Sequence, residues 1–221
     1  MLIYKLLQGS FVMKFEQWSK RMAERTDITG SLVHLTKGVT IDDINYEPVE
    51  VLLRILSEQC LKGSTTATGF IIGNIPAVCF QDAPISSISQ NCHYEHKLRE
   101  QNNSKIRYEA YGIRFPKEYV YQRDGRPVIY DKKDEAKKYL NEDQWWRIVN
   151  FYLYNHNYII DWTHEREWRV PNYFIFETSY AQIILPNNQE YKRFINLYKE
   201  RFNTDPFYVF SEIINMSSYL F

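Results

Sequence analysis

At 221 residues the chain is long enough for one sizeable domain with its own core, and 44% hydrophobic with 24% charged residues is an ordinary globular composition. Lys+Arg and Asp+Glu stand at 27 each, so no global field draws in nucleic acid and any such binding must come from a local patch. No apolar run approaches the roughly 20 residues of a bilayer-spanning helix, which argues against a helical membrane span, and Met1 to Leu7 is too short and wrongly flanked for a signal peptide.

In chain order, Phe15 to Arg25 carries Phe15, Trp18 and Met22 at helical spacing, and residues 1–30 are expected to form a helical extension. Met13-Lys14 is a second candidate start of translation, which would make the first dozen residues an accessory. Ser31 to Thr36 is a short strand with Leu32, His34 and Thr36 on one face and Val33 and Leu35 on the other. Pro48 opens a helix over Val49 to Leu61, ended by Lys62-Gly63. Phe70 to Phe80 reads as two short apolar strands or one broken at Gly73-Asn74, and Gln81 to Pro84 turns out of the sheet. Ser86 to Lys105 has no sustained period and reads as a polar loop or short exposed helix, long enough for a lid.

Tyr108 to Phe115 alternates as a strand, Lys117 to Tyr119 makes a turn of helix, and Asp124 to Pro127 turns into a strand over Val128 to Tyr130. Asp131 to Asn141 is charged and helix-prone, and Glu142 to Tyr154 has helix-spaced Trp145, Ile148, Val149 and Tyr152. Ala181 to Pro186 is an apolar strand, and helices over Gln189 to Phe202 and Pro206 to Met216 close the chain. Short strands without repeated strand-helix alternation predict an α+β fold. Residues 31–221 are expected to form one domain, a central mainly antiparallel or mixed β-sheet with helices at both ends.

The densest chemistry lies in Asp161 to Pro171, where three acids, three bases counting His164, and two tryptophans share one short segment. From Glu165 the residues alternate, so a strand puts Glu165, Glu167 and Arg169 on one face and Arg166, Trp168 and Val170 on the other. Carboxylates and a guanidinium on a buried face demand a polar cleft or close pairing; on a solvated edge strand they form a structural ladder.

Cys60, Cys79 and Cys92 are widely spaced with no Cys-x-x-Cys, which fits reduced thiols in a cytoplasmic protein. His93 and His96 near Cys92 lack a fourth ligand at recognisable spacing, so no metal is expected. Gly63 and Gly69 lack the Gly-Lys-Ser/Thr tail of a phosphate loop. Lys97, Arg99, Lys105 and Arg107, interleaved with Tyr94 and Tyr108, form either a solvated loop or a local basic patch suited to nucleic acid.

Leu-Val-His-Leu-Thr-Lys, Ile-Pro-Ala-Val-Cys-Phe-Gln-Asp-Ala-Pro-Ile, Tyr-Gly-Ile-Arg-Phe-Pro-Lys-Glu, Arg-Pro-Val-Ile-Tyr and Glu-Arg-Glu-Trp-Arg-Val-Pro occur in that order between about His34 and Pro171. Together they resemble the AbiGi-type abortive-infection proteins, a bacterial family linked to phage defence and described as the antitoxin-like partner of a toxin. The His-x-Thr strand, the following helix, the Pro-x-x-x-Phe strand and the late strand glutamate also resemble the ADP-ribosyltransferase layout, particularly DarT-type DNA-modifying enzymes. That resemblance implies NAD as a substrate, His34 and Thr36 on the ribose and nicotinamide side, and Glu167 as the catalytic glutamate. The chain departs from it at Gln81-Asp82, where those enzymes carry a basic residue.

On this reading Glu167 stabilises an oxocarbenium-like ribose and Glu165 polarises the acceptor nucleophile. Phe80, Tyr111 or Tyr130 stacks on the nicotinamide, and Arg169 or Arg114 meets the pyrophosphate. The expected function is NAD-dependent modification of a macromolecule, nucleic acid or protein, in a phage-defence or toxin–antitoxin setting. The alternative is a catalytically inactive antitoxin or sensor that binds a partner toxin through its aromatic surface.

Overall fold

The computed structural model describes residues 13–102 and 107–219. The first dozen residues and Lys105, singled out above, lie outside the described residues. Helix α1 (Phe15–Glu24) turns Trp18 and Met22 toward Gly30 and buries no residue fully. Strand β1 (Ser31–Thr36) leads into the exposed hairpin β2 (Val39–Ile41) and β3 (Ile44–Tyr46), whose two turn residues, Asp42 and Asp43, both have positive φ as a tight hairpin requires.

Pro48 starts helix α2 (Pro48–Glu58), which buries Val49, Leu52, Leu53 and Leu56. It stops short of the expected Leu61. Gln59 takes a left-handed conformation at φ 48°, and β4 (Cys60–Lys62) pairs with Tyr173–Ile175 instead.

Only the last part of the apolar run beginning at Phe70 becomes a strand, β5 (Ala77–Gln81). Of the two readings of the polar segment after it the helix holds, but as an 18-residue, partly buried one, α3 (Ile85–Asn102). Its buried face is Ile88, Ser89, Cys92 and Glu95, and the two polar members hide the period from an apolar count. Then come β6 (Tyr111–Pro116), the short α4 (Lys117–Tyr121), β7 (Arg126–Pro127), β8 (Ile129–Asp131) and α5 (Lys133–Tyr139).

The helix expected over Glu142 to Tyr154 is instead a 3-10 turn, Glu142–Arg147, followed by β9 (Ile148–Asn150) and β10 (Tyr152–Asn155), which pairs with β11 (Tyr158–Ile160). The β-branched pair Ile148-Val149 joins β8 in a parallel ladder, and that tertiary pairing overrides the helical spacing. Strands β12 (Glu167–Pro171), β13 (Tyr173–Ile175) and β14 (Gln182–Leu185) follow, then α6 (Asn188–Phe202). The last predicted helix is a 3-10 turn and a strand, β15 (Glu212–Asn215), because Ile213 and Ile214 complete the sheet beside β14.

The fold is α+β. One seven-stranded sheet runs β15-β14-β6-β1-β5-β12-β7, antiparallel except for the parallel β14/β15 pair. One face, with Leu32, Phe80, Ile113, Phe115, Val170 and Ile183, carries the main core under α2, α4 and α6. The other, with Val33, Ile184 and Ile214, is covered by Ile88 and Cys92 of α3. Gly112 lets β6 approach β1 closely, since a Cβ there would run into the His34 carbonyl oxygen.

Candidate functional site

The sheet is fully laddered between β1 and β6, with six residue pairs from Ser31↔Pro116 to Thr36↔Tyr111. Between β1 and β5 it is not. A single pair, Val33↔Gln81, joins them, and beyond it the strands part. The His34 side chain spans the opening, with Nδ1 2.9 Å from the Cys79 carbonyl oxygen. A carbonyl only accepts, so Nδ1 carries the hydrogen and Nε2 is left as an acceptor. Burial pushes the imidazole below its ordinary pKa, against the opposing pull of the Cys79 carbonyl, so the ring is neutral.

A cavity of about 690 Å³ opens at this end of β1, with His34 and Thr36 on its wall beside residues of α2, β4 and the β2/β3 hairpin. It is within the size of sites that take small molecules and cofactors. Phe80 lies behind His34, edge-on with ring centroids 5.8 Å apart, but at 1% exposure it is core and offers no face to a ligand. Tyr111 sits opposite Thr36 and is half-buried; burial first, then the Glu190 carboxylate, raise its phenol pKa.

Glu167 stands on the other face. It pairs with Gln81, which pairs with Val33, so alternation puts Glu167 in the Val33 row and His34 on the opposite side of the sheet. Glu167 is 6% exposed and Arg169 2%. The guanidinium grips the carboxylate in a fork, Nε to Oε1 at 2.7 Å and Nη2 to Oε2 at 3.2 Å. Its other hydrogens go to the carbonyls of Trp146 (2.7 Å), Ile148 (3.1 Å) and Phe70 (3.4 Å). Arg169 therefore has nothing left for a pyrophosphate. It is a structural cation holding Glu167 and the 3-10 turn before β9.

Arg114, the other arginine considered for that role, pairs with Val33, so it too lies on the face away from His34, near Glu212. Tyr130 is half-buried, and its hydroxyl accepts the Glu167 backbone N–H at 2.7 Å; burial pushes this phenol up to about 12. Sequence alternation began at Glu165, but the strand begins at Glu167. Glu165 ends a 3-10 turn, and Arg166 follows in a left-handed conformation at φ 46°. The Cys79 thiol shares the Arg169 face and is pushed well above its ordinary pKa by burial and the Glu167 charge, so it is inert.

Asp82 is closed off as well. It accepts from Lys117 Nζ at 2.7 and 2.8 Å and from Trp168 Nε1 at 3.2 Å, stapling the end of β5 to α4 and β12. The structure thus gathers the predicted residues into two groups: His34 with Thr36, Phe80 and Tyr111 on one face of the sheet, and Glu167 with Arg169 on the other, joined there by Glu165 from the preceding 3-10 turn and Tyr130 from β8. Sequence reading missed Lys37 and Arg201 in the cavity wall: Lys37 ends the Leu-Val-His-Leu-Thr-Lys motif without being given a role, and Arg201 belongs to no motif. Arg107, also in that wall, stood out only as part of a basic stretch. It reaches across to the carboxylates, 3.6 Å from Glu95 and over the Trp162 ring at 4.5 Å. Among the described residues no three His, Cys, Asp or Glu side chains are arranged to share a metal ion, and no helix is long and apolar enough to cross a membrane.

Burial, reinforced by the Glu167 charge and opposed by Arg169 and Arg107, raises Glu165 from an ordinary 4.5 to about 8. The folded state keeps a proton that the unfolded chain has released, so this contribution to stability is full below pH 4.5 and is lost as pH rises to about 8. Allowing for partial exposure, the loss is on the order of 3 kcal/mol. Glu165→Gln is expected to flatten that decline. Urea unfolding of both proteins at pH 5 and pH 8.5 measures it, and parallel losses in the two would rule the titration out.

Comparison with known protein families, with curated proteins and with solved structures finds no match.

Proposed function

We propose that the protein is an ADP-ribosyltransferase-like enzyme that uses NAD to modify a macromolecule, in a phage-defence or toxin–antitoxin setting. The observation that carries this reading is the adjacency of three strands far apart in sequence. β1 with His34 and Thr36, β5 with Phe80, and β12 with Glu167 lie side by side at the centre of the sheet, and the β1/β5 ladder opens beside His34. The nicotinamide end of NAD enters that opening from the cavity. Neutral His34 accepts a ribose hydroxyl through Nε2, and Thr36 supplies a second hydroxyl contact.

The bond from ribose C1′ to the nicotinamide nitrogen breaks with its electron pair going to the ring, which neutralises the pyridinium. Glu167 lies on the far face of the sheet from His34 and is held by Arg169. On this reading the ribose therefore reaches through the parting of β1 from β5, and the Arg169 fork opens before the carboxylate offsets the charge developing on the ribose. The acceptor nucleophile bonds to C1′ and gives its proton to the ionised form of Glu165, which with a pKa of about 8 is the majority form only above that pH, so transfer is expected to quicken as pH rises toward 8.

Labelled NAD supplied to purified protein with cell lysate tests this, with transfer to protein, DNA and RNA followed separately. Wild type is expected to transfer label, and Glu167→Gln to transfer it at least roughly 100-fold more slowly. His34→Asn, which leaves the Glu167–Arg169 pair intact, is expected to lose activity too. Absence of NAD consumption by wild type overturns the reading.

One observation favours a second reading, a non-enzymatic antitoxin or sensor on the same scaffold. Glu167 is closed by Arg169 and lies across β5 from His34, as expected where the pair serves the fold alone. Its outward face would be the β10/β11 hairpin, where Leu153, Tyr154, Tyr158 and Ile159 are all exposed. Growth arrest when the wild-type gene is expressed alone favours the enzyme; normal growth favours the antitoxin.

A further inference from the structure

The whole chain carries equal numbers of acidic and basic residues, yet the wall of the β1 cavity does not. Its cations are Lys37, Arg54, Lys62, Arg107 and Arg201, and its carboxylates are Glu50 and Glu58, so five against two leaves an excess of three positive charges. Glu58 is shared by Arg54 (2.9 Å) and Lys62 (2.8 Å), and Arg107 is engaged by Glu95. Glu50 accepts the Glu47 backbone N–H at 2.7 Å. Lys37 and Arg201 remain, and among the described residues neither has a carboxylate within 4 Å. They come from distant parts of the chain, just after β1 and the last turn of α6, and both line this cavity.

The other lining is of a different kind. Val39, Ile41 and Leu61 give it apolar surface, with Tyr46 also in the lining and His34 and Thr36 as polar groups. Apolar surface suits a planar base, a neutral imidazole and a hydroxyl suit a ribose, and two unpaired cations suit a diphosphate. A single carboxylate ligand would leave one cation and most of the volume unused.

We propose that this cavity binds a nucleoside diphosphate or the corresponding half of a dinucleotide, with Lys37 and Arg201 contacting the phosphates. This deepens the NAD reading and rests on it only for the identity of the full ligand. The arginines singled out by sequence for that role, Arg169 and Arg114, lie on the opposite face of the sheet, so the phosphates have their cations here.

Binding of ADP, inorganic pyrophosphate, NAD and phosphate-free nicotinamide to the full chain, by titration calorimetry, is the test. ADP and pyrophosphate are expected to bind wild type, more weakly as salt rises, and nicotinamide to bind far more weakly. Lys37→Ala and Arg201→Ala should each weaken ADP and pyrophosphate roughly tenfold or more, with Arg201→Lys recovering part of the loss. Both side chains are exposed, so unchanged melting temperatures are expected for these variants, and Lys133→Ala on α5 is the surface control.

Wild type binding pyrophosphate and ADP no better than nicotinamide overturns the proposal. So does equal affinity in the two alanine variants. If ADP binding depends on Lys37 and Arg201 while no preparation consumes NAD, the phosphate site stands and the transferase reading falls. If NAD is consumed and neither variant changes its binding, the transferase stands and this site falls.

Discussion

Replacing Arg169 by Met should lower stability by about 3–5 kcal/mol, because it leaves the Glu167 carboxylate buried without its cation and frees three backbone carbonyls. For a domain of this length each kcal/mol is worth about 2–4 °C, so a melting temperature lower by roughly 10 °C is expected. The double substitution Glu167→Leu with Arg169→Met should recover much of the loss, since an apolar pair of similar volume needs no desolvation. Thermal and urea unfolding of the single and double variants measures both. A drop under about 2 °C for the single variant would mean that the pair is not closed in solution, and that Glu167 is freer to meet a substrate than the structure has it. The same numbers guard the functional test, because loss of transfer in Glu167→Gln bears on chemistry only if the variant remains folded.

Phe115→Ala should cost a similar amount, about 3–5 kcal/mol. Phe115 is fully buried, and its ring centroid lies 5.0 Å from Phe176, 5.1 Å from Phe174, 6.1 Å from Tyr119 and 6.3 Å from Phe80. Truncation opens a cavity bounded by four rings that their own strands and helix hold in place, so collapse is limited. Phe115→Leu, which keeps most of the volume, should cost less, about 1.5 kcal/mol. The loss also reaches the candidate site, because Phe80, packed on Phe115, is the ring against which His34 stands. Urea unfolding of the two variants checks the ratio, and equal costs would show that the aromatic cluster repacks freely.

Sequence alone determined much of this protein, wherever local chemistry and burial agreed. The Ser31–Thr36 strand and its two faces, the proline-started α2, and α6 all follow from apolar periods that the tertiary structure then uses. The α+β class and its mixed sheet were legible in the same way. The length and buried face of α3 were not, because half of that face is polar: Ser89 donates to the Met216 carbonyl, and Glu95 accepts from Arg107. Nor were β9 and β15, short segments of helical spacing that a distant strand edge recruited by pairing.

For the site, the sequence singled out His34, Thr36, Glu165 and Glu167 as candidates by type and spacing. Only the tertiary structure decided which of them share a space. Side chains alternate across a strand, and the Val33↔Gln81↔Glu167 register sends Glu167 and His34 to opposite faces. The parting of β1 from β5, and the placement of Lys37 and Arg201 in the lining of one cavity, depend on contacts between segments remote in the chain. Such contacts leave no local period for a sequence to display.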